Sequence, residues 1–250
     1  MTGMLRKIIS ILCCTLLASR AFATIEMPTG DHFFLGVSPG LTWVTGNKTQ
    51  TIFLEPDVEK TYTANNGNSN IPSGEIFLGW QKSFLALNQS LISQLGISVV
   101  EAGTAKLSGD IWEDADPDFD NFTYNYKINH THVALKGRLV SNSDLAFQPY
   151  ISGSIGVGFN NAHAYSSQAI VDGEIPAPPF NSNTTTTFIY TVGIGLQKAL
   201  TTNLQVALGY EFADWGKTQL SAADGQTVNQ GLTLNHLYAN QLQLSLFYIF

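Results

Sequence analysis

The stretch NYKINHTHVALKGRLV, Asn125–Val140, holds the densest group of chemically capable side chains in the sequence. His130 and His132 lie two residues apart, and on an extended segment positions i and i+2 share a face. Lys136 and Arg138 continue that parity. Two imidazoles on one face could ligate a transition metal, but a zinc-type site needs further ligands and no third is identifiable. In other alternating segments Glu75, Lys106 and Glu211 fall on the polar parity. Charges enclosed together are costly unless paired. The residues Glu75, Lys106, His132, Lys136, Arg138 and Glu211 are therefore expected to form an inward-facing polar network, either a plug of ion pairs or a path for ions or protons.

Other chemistry is weaker. DIWEDADPDFD, Asp110–Asp120, carries six carboxylates, and Asp114, Asp116 and Asp118 alternate like the start of a calcium loop. Phe119 stands where such a loop needs its turn glycine, and no bidentate Glu follows. A solvated acidic loop is the expectation, with weak divalent-cation contact as the alternative. GSIGVG (Gly153–Gly158) lies inside an alternating segment with no helix after it, so its glycines serve packing rather than phosphate binding. Ser166 near His163 is the nearest thing to a nucleophile–base pair, and no third partner accompanies it. IPAPPF (Ile175–Phe180) is a stiff bend or a contact surface. No enzyme, metal site or cofactor is expected.

The elements that position these residues follow from the rest of the 250-residue chain. Only 12% of residues are charged, mean hydropathy is +0.05, and Gly (22) and aromatics (11%) are abundant. A soluble domain carries about twice that charged share, so much of this surface is expected not to face water. Residues 1–23 have the form of a cleavable signal peptide: Arg6 and Lys7, the apolar run Ile8–Ser19, then Ala21-Phe22-Ala23. That run is too short for a membrane-spanning helix. Both cysteines, Cys13 and Cys14, fall within it, so the exported chain is expected to lack disulfides. The mature part, 24–250, keeps nine basic residues against 19 acidic ones, a formal charge of −10, which argues against a nucleic-acid partner.

Past residue 23 the recurrent pattern is alternation with period two, the mark of half-buried strands. It occupies eight segments, near 32–45, 74–84, 91–106, 124–140, 146–160, 184–198, 203–214 and 237–250. Glu101 breaks the apolar parity of the third, which implies a bulge or an end above the membrane. Short connections near 85–90, 141–145 and 200–202 alternate with long polar ones near 46–73, 107–123, 161–183 and 216–236. The polar parity is dominated by Gly, Ser, Ala, Thr and Gln, where a water-facing strand would favour long charged side chains. Small residues suit the crowded lumen of an eight-stranded barrel. The opposite parity carries Leu, Val, Ile and Phe, with Trp43, Trp80, Tyr210 and Tyr248 towards strand ends. In lipid such a sheet must close, because open edges would strand unpaired backbone groups. The expected fold is all-β: one closed, eight-stranded, antiparallel, transmembrane up-and-down barrel.

The leader, the eight amphipathic strands, GYEFADWGK (Gly209–Lys217) and the terminal FYIF together resemble the small outer-membrane barrels, the opacity-like group that includes OmpX, OmpW and the transmembrane domain of OmpA. The resemblance implies outer-membrane localisation, a monomer embedded among outer-membrane lipid and lipopolysaccharide, and extracellular loops that act in membrane integrity, adhesion or host contact. It also implies that the barrel-assembly machinery reads the closing strand, with Phe250 and its alternate neighbour Tyr248 as the assembly signal. The alternatives within the group are a narrow-pore transporter of small apolar solutes and a lipid A-modifying enzyme. A periplasmic domain of the OmpA kind is not implied.

Overall fold

The computed structural model describes residues 30–46, 48–65, 69–86, 89–142 and 145–250. The signal peptide expected at 1–23 lies outside the described residues. Eight long strands form one antiparallel ring: β1 (Asp31–Thr45), β2 (Ser69–Ala86), β3 (Gln89–Glu113), β4 (Asp120–Ser141), β5 (Gln148–Ala169), β6 (Asn183–Ala199), β7 (Leu204–Asp214) and β8 (Tyr238–Ile249). Each pairs with its neighbours in sequence, and β8 closes the ring on β1 from Phe34↔Ile249 to Thr45↔Tyr238. The alternation of the closing strand accounts for the order: Leu242, Leu244 and Leu246 point outward while Gln241, Gln243 and Ser245 are buried.

Outside, a belt of apolar side chains runs round all eight strands. It includes Leu35, Ile76, Ile97, Leu135, Ile155, Val192, Leu208 and Leu244, each between 38% and 59% exposed. No water-soluble protein leaves such a continuous apolar surface uncovered. Among the described residues no helix is long and apolar enough to cross a membrane; the crossing elements are the strands.

The strands run further than the alternation predicted, and two of the four expected long loops are largely strand. β3 continues to Glu113 and β4 starts at Asp120, so the acidic stretch is mostly the tip of a hairpin. Beyond the belt Leu107, Ile111, Phe122, Tyr124 and Tyr126 still point inward, while Asn, Asp and Ser point outward. Those outward residues produce the loop-like composition. At the same end the hairpin Gln50–Glu55/Val58–Tyr62 extends the sheet along β3. Short strands at Thr218–Gln219 and Ser221–Ala223, within the last connection, pair with Thr233–Leu234 and Phe180–Asn181.

Candidate functional site

The lumen is layered, and each layer is built by specific strands. At the end with the short turns Phe34, Phe77 and Phe247 form an aromatic plug with centroids 4.8–6.5 Å apart. Ile92, Val140, Tyr150 and Ile249 pack with them. Above it lies a ring of charge. Lys136 of β4 reaches across the lumen and places its Nζ 2.8 Å from Glu75 of β2 and 2.8 Å from Glu211 of β7. All three are buried. Arg138, one inward position lower on β4, donates to Gln94 (3.0 Å), whose amide nitrogen donates to Gln81 (3.0 Å). The Arg138 guanidinium also lies over the rings of Tyr150 (3.9 Å) and Phe247 (4.5 Å). Two cations and two anions thus share the layer, which removes most of the cost of enclosing charge.

The glycines on the inward parity make room for this arrangement. The Tyr150 ring rests on Gly195 and Gly209: a Cβ on Gly195 would sit 2.5 Å from the ring, and one on Gly209 would collide with the phenol oxygen. Larger residues there would displace the aromatic face on which Arg138 lies. Among these groups the remaining cavity is about 10 Å³, bordered by Glu75, Lys136, Arg138, Tyr150 and Glu211. That is room for about one water, against the several hundred Å³ of a ligand pocket.

The third layer holds both histidines. Asn160 spends its amide nitrogen on the carbonyls of Trp215 and Lys217, both at 2.8 Å, so its oxygen is the acceptor towards His130 Nδ1 at 2.6 Å. His130 Nε2 must then accept from His132 Nδ1, 2.8 Å away. This chain assigns a tautomer to each ring. It uses the imidazoles as polar connectors, and among the described residues no group of three or more His, Cys, Asp and Glu is placed to hold a metal ion. The Trp215 indole stacks on His130 at 4.0 Å and 8°. Trp215 opens the last connection, which folds over the lumen and buries Leu220, Leu232, Leu234 and Leu237 against Phe122, Tyr124, Tyr126 and Ile128. This cap had no periodic signal in the sequence; the only sign of it was the run of Leu at 220, 232, 234 and 237 inside an otherwise polar segment.

Lys106 does not join the lumen network. The register of β3 against β4 shifts between Ala102 and Ala105, so that Ala105, Leu107 and Gly109 turn inward and Lys106 outward. Parity counted from the lower half of β3 has the wrong sign above that bulge. Glu101 faces outward below it and accepts a hydrogen bond from the Thr131 hydroxyl. The other candidates are occupied locally. Ser166 accepts from Asn125 at 2.9 Å, while His163 meets Asn129 at 3.4 Å, so they do not form a pair. Asp116 accepts from the Asp118 amide at 2.9 Å and caps the 3₁₀ turn Pro117–Phe119, which explains the alternating aspartates as turn chemistry. Near that tip Lys60 binds Glu113 at 2.8 Å, and this hydrogen bond holds the Glu113 carboxyl below the usual carboxylate range. At the chain end Tyr248 and Phe250 lie on the outer face with their rings 5.0 Å apart.

A closed single-sheet barrel with an apolar belt outside and paired charges inside is an outer-membrane β-barrel. In overall structure the chain is similar to the outer membrane protein OprG from Pseudomonas aeruginosa (14% identity, TM-score 0.47, covering 91% of this chain and 99% of that one). It is also similar to Neisserial surface protein A (12%, 0.46, 88% and 99%) and to the outer membrane protease OmpT from Escherichia coli (10%, 0.45, 93% and 100%). No protein-family model and no curated protein matches the sequence.

Proposed function

We propose that this protein is a non-catalytic surface barrel of the outer membrane, whose long connections face the exterior and act in membrane integrity, adhesion or host contact. The observation that carries this reading is the filled lumen. An aromatic plug, a neutralised charge ring and an apolar cap follow one another, and the cavity among the charges is about 10 Å³. A closed lumen leaves the outward ends of the strands as the working surface. The polar network is then a structural plug that ties β2, β4 and β7 together.

The test is conductance. Purified protein in a planar bilayer should give no steady single-channel current. A reproducible open channel would overturn the reading in favour of a narrow-pore transporter. Mass spectrometry of lipid A from expressing cells addresses the enzymatic alternative, since an altered acyl pattern would show an editor. Residues 1–23 are proposed to be removed on export, and Tyr248 with Phe250 to be recognised by the assembly machinery. Deleting Phe250 should impair insertion while export continues; normal insertion of that variant would remove the assignment.

A further inference from the structure

Lys106 on β3 and Lys127 on β4 are direct cross-strand partners, and Lys127 is in turn paired with His163 on β5. Their neighbours Ala105, Leu107, Tyr126, Ile128 and Ala162 are buried inside, so all three side chains emerge on the outer wall. Two irregularities create this rung. The shift between Ala102 and Ala105 turns Lys106 outward. A second shift, between Asn125 and Lys127 in the β4–β5 pairing, accompanies Ala164 at a φ of 53° and leaves His163 opposite Lys127.

Like charges directly opposed on a sheet destabilise it, and this chain has few bases to spare. Nevertheless, among the described residues neither lysine makes an ion pair. The carboxylates nearest along β3 are Glu101, engaged by Thr131, and Asp110, four residues further on. The rung also has a defined height. Thr131 pairs with Phe159, the last large apolar side chain on the outer face of β5, and Lys127 stands four residues beyond it. That is about 13 Å along the strand past the apolar belt, the level of lipid headgroups.

We propose that the Lys106–Lys127–His163 rung binds the phosphorylated headgroup of an outer-leaflet glycolipid, one phosphate lying between the two ammonium groups. An anion there converts the opposed lysines from a repulsive pair into a clamp. The proposal rests on the outward orientation given under the proposed function.

The experiment compares the intact protein with the double variant Lys106→Gln/Lys127→Gln in detergent micelles. The probes are diphosphoryl lipid A, dephosphorylated lipid A and inorganic phosphate, with binding read by native mass spectrometry and unfolding by tryptophan fluorescence. The unsubstituted protein should bind diphosphoryl lipid A at least tenfold more tightly than the variant does, and the variant should lose the preference for the phosphorylated form. Without lipid, the variant should unfold at the same or a higher temperature, because a repulsive pair has been removed; with lipid the order should reverse. Equal affinities, or equal binding of the dephosphorylated lipid, would overturn the site. Inorganic phosphate binding as tightly as lipid A would overturn the lipid as its source. Orientation is checked separately by labelling Thr123→Cys on intact cells with a membrane-impermeant maleimide. A labelled residue without lipid preference overturns the headgroup site alone, whereas an unlabelled one overturns the orientation beneath it.

Discussion

The two halves of β4 follow one parity and opposite chemistry. From His132 down to Arg138 the inward positions are polar or small, with Ala134, Lys136 and Arg138, before Val140 joins the aromatic plug, and the outward ones are Val133, Leu135 and Leu139. Above His130 the inward positions are Ile128, Tyr126, Tyr124 and Phe122, and the outward ones are Asn129, Lys127, Asn125 and Thr123. No register change in the strand itself produces the exchange; the surroundings do. In the lower half lipid takes the apolar face, so polar groups must be satisfied in the lumen. In the upper half water takes the polar face, so apolar groups must bury in the lumen. The barrel is a membrane protein below and a soluble sandwich-like core above, written on the same strands. The histidine pair marks the crossing.

The comparison can be broken most severely at its lower half. Lys136→Met removes the cation that bridges Glu75 and Glu211, leaving two buried carboxylates with only Arg138 in their layer, and should cost about 3–5 kcal/mol, read by denaturant unfolding in lipid vesicles. A variant that also carries Glu75→Gln and Glu211→Gln should recover most of that loss. Failure to recover would mean that Lys136 acts through packing rather than charge. The upper half is probed by Trp215→Ala, which removes the stack on His130 and leaves a void in a packed core. About 3–4 kcal/mol is expected, and hydrogen exchange should rise across 215–237 while the lower strands stay protected. Equal exchange throughout would show that the halves unfold as one.

A matched pair of surface substitutions tests the inversion directly. Leu135→Arg puts a charge in the middle of the belt and should cost about 2–4 kcal/mol. Thr123→Arg, on the same outer parity of the same strand, should change stability by no more than about 0.5 kcal/mol. Similar costs would place the membrane boundary elsewhere. The smallest effect is a pH dependence confined to the upper half. Since Lys60 lowers the folded carboxyl of Glu113, the pair contributes fully above the unfolded carboxylate pKa, and that contribution is lost as pH falls through the lower folded value. Acidification below about pH 4 should therefore remove less than about 1 kcal/mol, because the pair is partly exposed. Lys60→Gln should abolish that increment when unfolding is followed against pH.

What could be read from residues alone was whatever depends on the two-residue period: eight strands, their inner and outer faces, closure of the first segment, near 32–45, on the last, and the inward direction of Glu75, His132, Lys136, Arg138 and Glu211. Period two is a local consequence of extended backbone, so the order of side chains suffices. Only the folded chain decided that Lys136 bridges Glu75 and Glu211, since three strands far apart in sequence must converge. It alone decided that Trp215 and four leucines of a polar-looking segment close the lumen, and that Lys106 stands outside it. A bulge changes parity by one residue without leaving a periodic trace, and a cap is held by contacts that have no period at all. Alternation therefore determined the barrel, and long-range packing decided its contents.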